Sequence, residues 1–230
     1  MALSLFGGPE ARLRKAFAKA ARDAPSGPLA EYYAAGLPDF ALPLSAVPMT
    51  AIDLETDGLE ARDSAILEAG LVDLADGRIA VGSAGRIRFR PPAALSPDAV
   101  TIHGITDDAL EQALPEAEAL AQLLQRLVGR VLVAHFAQIE AGFLDAACRR
   151  VWGQGFVAPF VCTMQLEQRW FPRPRAADGL RLGKLRSGYG LPHYGAHDGV
   201  TDALACAELL LAQIAHRPGG APRVGDLLRR

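Results

Sequence analysis

Between residues 49 and 89 the chain carries three strand-like runs in hairpin order, and from there on it alternates helix and strand. Residues 49–55, 65–73 and 78–89 are the three runs, rich in Ile, Leu and Val. Asp76-Gly77 between the second and third is a tight hairpin signal, because both positions of such a turn need a positive φ. Helical spacing then predicts helices over 107–114 and 116–127, followed by a short buried strand over 131–134. A helix over 138–151, a strand over 156–162 and helices over 164–170 and 201–215 complete the pattern. Hairpin strands joined to strands that alternate with helices require a mixed sheet flanked by helices, an α/β fold. The chain shows no internal repeat and no low-complexity tract.

The pattern divides the chain into three parts. Residues 1–48 form an N-terminal helical arm with a proline-containing linker. Leu13, Phe17 and Ala20 recur at helical spacing there, and Pro25-Ser26-Gly27-Pro28 ends the run. Its expected role is packing against the domain. Residues 49–216 form the main domain. Residues 217–230, rich in Gly, Pro and Arg, read as a frayed, flexible tail.

Half of the 230 residues are hydrophobic and the formal charge is -2, which excludes a disordered chain and a generally basic protein that coats nucleic acid. Cys148, Cys162 and Cys206 are too scattered for a disulfide framework or a zinc knuckle and read as core thiols in a reducing compartment. There is no signal-like start and no apolar run long enough to span a membrane, so the chain reads as cytoplasmic with no membrane partner.

Acidic residues fall at positions that bury side chains. In the first strand Asp53 and Glu55 are two apart and share a face. Two carboxylates about 4 Å apart repel by about 4 kcal/mol at an effective dielectric of 20, so a proton or a cation must compensate. Taken alone, Asp-x-Glu is also the pattern of a solvated strand end. On the helix over 138–151, Glu140 shares the stripe of Phe143, Leu144 and Ala147 and points inward. On the last long helix, Asp202 shares the stripe of Ala205, Cys206 and Leu209, with His197 just upstream. Four inward acids with few basic neighbours in sequence make a hard-oxygen cage suited to Mg²⁺ or Mn²⁺. Two such ions hold a scissile phosphate, and a histidine beside them has a suitable pKa to take a proton from water.

The segments Asp53-Leu54-Glu55-Thr56-Asp57-Gly58-Leu59, His135 through Leu144, and His197-x4-Asp202, in this order and spacing, resemble the three motifs of the DEDDh branch of 3′–5′ exonucleases. Ile102-His103-Gly104-Ile105-Thr106 matches a further segment common in members like the epsilon proofreading subunit of bacterial replicative polymerase. The resemblance spans about residues 49–215 and implies a ribonuclease H-like fold. It implies that Asp53 bridges two metal ions, that Glu55 and Asp202 help to hold one, and that Glu140 acts directly or through water. By the same resemblance Thr56 and Leu59 contact the 3′-terminal nucleotide. His103 either lines the substrate cleft or is a core or turn histidine, and His135 is structural.

Two departures stand out. The second-motif acid is usually Asp and is Glu140 here; the residue after His135 is usually Asn and is Phe136 here. An independent hint of substrate is the stretch Arg169, Arg173, Arg175, Arg181, Lys184 and Arg186, with Asp178 its only acid, which fits a surface tracking a single strand as well as a solvated basic face. Arg86, Arg88 and Arg90 alternate on the third strand and are candidates to extend it.

The resulting expectation is a two-metal 3′–5′ exonuclease that releases nucleoside 5′-monophosphates from DNA 3′ ends, single-stranded or frayed. The alternatives are a catalytically weak nucleic-acid-binding or polymerase-accessory module and an RNA-directed exoribonuclease. Association with a polymerase is compatible with the resemblance, but nothing in the tail points to it.

Overall fold

The computed structural model describes residues 8–93, 105, 110–172, 178–195 and 197–229. Helices α1 (Pro9–Asp23) and α2 (Pro28–Ala34) form the arm, each opening on a proline whose missing N–H costs nothing there. Strands β1 (Met49–Thr56), β2 (Ile66–Ala75) and β3 (Arg78–Arg88) follow. Next come α3 (Glu116–Leu127), β4 (Val131–Ala134), α4 (Gln138–Trp152), β5 (Phe160–Cys162) and α5 (Thr163–Trp170). Helices α6 (Leu182–Gly188), α7 (Gly199–His216) and α8 (Val224–Leu227) complete the described chain. The expected helix over 107–114 falls mostly outside the described residues.

The sheet order is β3-β2-β1-β4-β5. β1, β2 and β3 pair antiparallel, whereas β4 runs parallel to β1 and β5 parallel to β4. Asp76 and Gly77 both have positive φ, at 54° and 70°, as the two-residue hairpin turn demands.

β1 is central, and its alternation divides the core into two. Ile52 and Leu54 pack with α1 to α4 on one face of the sheet. Met49 and Ala51 pack on the other face with Ala203, Cys206, Ala207 and Leu210 of α7. Asp53 and Glu55 continue the second row, so the parity of one strand aims both carboxylates to the side that α7 covers.

The arm shares the first core. Phe17, Tyr32 and Tyr33 are buried, and Tyr33 packs edge to face with both Phe17 and Tyr32. The Tyr33 hydroxyl donates to the Gly155 carbonyl at 3.3 Å and accepts from the Val157 amide at 2.9 Å.

The expected frayed tail is not what the structure shows. Val224, Leu227 and Leu228 are buried in the second core. The Val224 and Gly225 amides donate to Leu42 and Phe40 carbonyls, and the Arg229 amide donates to the Phe160 carbonyl at 2.7 Å. Three apolar residues at i, i+3 and i+4 form a compact apolar face, and burial of that face outweighs the loop-like composition around it. Among the described residues, no helix is long and apolar enough to cross a membrane.

Candidate active site

The acids converge where β1, the start of α4 and the start of α7 meet. Ligand atoms of Glu55, His197 and Asp202 lie within 4.8 Å of one another. Asp53 is close enough to the others that Glu140, Asp202, Glu55 and Asp198 all disfavour its ionisation. Burial is the larger cause, and together they hold its carboxyl well above the usual carboxylate range. Burial, then Asp202, Glu68 and Asp198, push Glu55 up to about 7. Burial raises Glu140 to about 8. Asp202 is raised as well, chiefly by burial, partly offset by the hydrogen bond from the His197 amide.

Glu140 is 4% exposed, and its Oε2 has no hydrogen-bond partner. A buried, unpaired carboxylate oxygen is costly unless a proton or cation satisfies it. The donor set is therefore one that a hard divalent cation fits: carboxylate oxygens in excess, mutually repelling, one of them orphaned.

His197 is exposed and left-handed, with φ 67°. Its amide donates to Asp202 Oδ2 at 2.8 Å. Asp198 caps α7, accepting from the Thr201 amide at 2.9 Å and from its hydroxyl at 2.8 Å. Thr56 is partly buried and its hydroxyl donates to the Gly58 carbonyl. Leu59 is 89% exposed, an apolar side chain presented to solvent beside β1. His103 lies outside the described residues.

The second-motif segment is held by its own bonds. His135 Nε2–H donates to the Leu180 carbonyl at 2.8 Å, which leaves Nδ1 to accept from the Thr163 hydroxyl at 2.8 Å. Burial holds this ring's pKa down, consistent with a neutral, structural histidine. Phe136 next to it is 37% exposed at φ 64°, a left-handed backbone that a bulky residue rarely adopts.

The arginines behave differently from the sequence expectation. Arg186 is 3% exposed; it donates to the Ala205 and Pro192 carbonyls and pairs with Glu208 at 2.8 Å. Arg169 donates to the Asp226 carbonyl and lies over the Trp170 ring. Arg86 and Arg88 both pair with Glu68, and Arg90 donates to the Ala113 carbonyl. Arg181 and Lys184 are exposed, and Arg173 and Arg175 lie outside the described residues. The basic stretch is thus in part internal scaffolding, since these guanidinium groups satisfy carbonyls and acids within the fold.

Glu68 is the acid that sequence reading missed. It is 1% exposed and stands opposite Glu55 in the β1–β2 register. Its position in an apolar strand, Ile66-Leu67-Glu68-Ala69, was the available signal.

A mixed five-stranded sheet with an acid cluster on its central strand and on two helix starts defines a nuclease-like α/β class. Residues 50–210 match the RNase_T family model, described as exonuclease. The chain is 34% identical over 170 residues to the DNA polymerase III subunit epsilon of Treponema pallidum, covering 74% of this chain and 78% of that protein. The match to a PolC-type DNA polymerase III of Thermotoga petrophila, 27% identical, covers 70% of this chain but only 11% of that protein. Among solved structures, Exonuclease X in complex with 5′ overhanging duplex DNA superposes with a TM-score of 0.58 at 25% identity, covering 78% of this chain and 98% of that one. The nuclease domain of 3′hExo, a DEDDh family member bound to rAMP, superposes at 0.63 with 17% identity, covering 73% and 92%. The chain belongs to the RNase_T exonuclease family, and its sheet and flanking helices are the ribonuclease H-like fold of those neighbours.

Proposed function

We propose that the protein is a divalent-metal-dependent 3′–5′ exonuclease that hydrolyses DNA from its 3′ end and releases nucleoside 5′-monophosphates. The observation that carries this reading is the convergence of Asp53, Glu55, Glu140 and Asp202, with His197 beside Glu55 and Asp202. Family membership supplies the reaction class, and the family generally uses divalent metal ions. Asp53, Glu55, Glu140 and Asp202 would hold the ions, Mg²⁺ or Mn²⁺ and two per site. Bound there, divalent ions supply the positive charge that neutralises the phosphate and activates the attacking water.

The protein's own residues do the rest. The carboxylates fix the reacting phosphate indirectly by fixing the charge around it. A ring nitrogen of His197 accepts the proton that the attacking water loses. The water oxygen bonds to phosphorus, the P–O3′ bond of the preceding nucleotide breaks, and that oxygen takes a proton from solvent to become the 3′-hydroxyl of the shortened strand. Thr56 at the end of β1 and the exposed Leu59 in the segment after it would contact the terminal nucleotide. His103 is the further candidate for the cleft wall.

Single-stranded or frayed DNA is the preferred substrate because relatives and neighbours include a replicative polymerase subunit and an exonuclease held on an overhanging duplex. The neighbour bound to rAMP favours RNA as the second reading. Partnership with a polymerase and a cytoplasmic location follow the epsilon-like relatives. The decisive experiment is digestion of 5′-labelled single-stranded DNA, mismatched duplex ends and short RNA with Mg²⁺ or Mn²⁺. Laddering from the 3′ end that disappears in Asp53→Asn and His197→Ala is the expected result. Strand binding with no metal-dependent cleavage would instead mark a binding or polymerase-accessory module.

A further inference from the structure

Arg86 joins β3, β2 and the start of α7 through charge. Its Nη1 lies 3.1 Å from Glu68 Oε1, and its Nη2 lies 3.0 Å from Asp198 Oδ2. Arg88 holds the same Glu68 by Nε at 3.0 Å, on Oε2. Two guanidinium groups therefore converge on one fully buried carboxylate, and one of them reaches on to the cap of α7. Glu68 anchors the bridge in the core, while the Arg86–Asp198 end is solvent-exposed, so its effect is on geometry more than on stability.

The segment so gripped is the one that carries the third motif. Asp198 follows left-handed His197 directly, and Asp202 accepts the His197 amide. The contact is also close in the backbone. A Cβ on Gly70 would overlap the Gly199 carbonyl group, and the Gly199 Cβ position is 3.4 Å from Glu68 Oε1. The helix start thus sits directly on β2, leaving no side chain between them to cushion a shift.

We propose that Arg86 is a positioning residue for His197 and Asp202: by bridging buried Glu68 to Asp198, it locks the α7 start onto the sheet and holds the left-handed turn that presents the His197 ring. The kinetic part of this inference rests on the nuclease reading above; the structural part does not.

Arg88 supplies the control. Arg86→Gln and Arg88→Gln each remove one cation from Glu68, but only the first releases Asp198. Arg86→Gln is expected to lower kcat by about tenfold or more with KM little changed, as a misplaced catalytic group does. Arg88→Gln is expected to lower kcat clearly less than Arg86→Gln, because it leaves the Asp198 contact in place. Asp198→Asn keeps a capping side chain but loses the ion pair, and should match Arg86→Gln, with no further loss in the double variant. Hydrogen exchange of the His197 amide reads the same lock without any substrate. It should quicken by about tenfold in Arg86→Gln and Asp198→Asn but not in Arg88→Gln. Equal kcat losses in the Arg86 and Arg88 variants, or unchanged His197 exchange in Arg86→Gln, would overturn the proposal. A wild-type protein without nuclease activity would sink the proposed function while leaving the exchange comparison able to decide this one.

Discussion

The His197 amide donates to Asp202 Oδ2 at 2.8 Å, so two residues of one motif hold each other across the first turn of α7. The carboxylate carries charge for a cation with one role and fixes the histidine backbone with another. These roles separate by substitution. Asp202→Asn keeps an acceptor oxygen but removes the charge, and Asp202→Ala removes both. Both should reduce cleavage by at least about a hundredfold. Only Asp202→Ala should also move the His197 amide resonance far from its wild-type position in a ¹H–¹⁵N spectrum.

Glu140 is buried with an unpartnered oxygen and a pKa pushed up to about 8. Glu140→Gln removes the charge at nearly constant volume. In metal-free buffer at pH 8.5 this variant should melt higher than the wild type, because it relieves a desolvated carboxylate whose burial outweighs the favourable Arg229 charge. Adding Mg²⁺ should raise the wild-type melting temperature more than that of the variant, with cleavage strongly reduced. A variant that melts lower in EDTA would show that Glu140 has a compensating partner.

The raised carboxyls set the pH dependence of the metal-free protein. Glu55 and Glu140 titrate near 7 and 8 in the fold, against about 4.3 in an unfolded chain. Between those values the folded state binds more protons, so stability falls as pH rises from about 5 to 8, and raised Asp53 and Asp202 act in the same direction. Urea denaturation in EDTA across that range should show the decline, and saturating Mg²⁺ should flatten it.

Leu227 is buried in the α7-side core together with Val224 and Leu228. Leu227→Ala should cost about 2–5 kcal/mol in urea denaturation, the range for a leucine deleted from a packed core. A cost within about 0.5 kcal/mol, as at an exposed site, would return the tail to a loosely attached segment.

Much of this was legible in the chain because the signals are local. Period-2 alternation predicted β1 with Asp53 and Glu55 on one face, and helical spacing put Glu140 and Asp202 inward. Asp76-Gly77 predicted the hairpin turn that the positive φ values display. The tail misled because its Gly, Pro and Arg content outweighed the short apolar spacing of Val224, Leu227 and Leu228. The arginines misled because a basic residue looks the same in sequence whether it faces a phosphate or a carbonyl.

Strand and helix order, the two-faced central strand and the acids that it and two helices turn inward all follow from residue spacing, since backbone geometry alone sets which neighbours share a face. Tertiary structure decided how that charge is managed. Arg86 meets Glu68 across 18 residues and Asp198 across 112, and Arg186 is spent on a carbonyl of α7. Those pairings depend on strand register and helix docking. Coulomb energy and desolvation act through space and the local dielectric, neither of which is written in the spacing of residues along the chain.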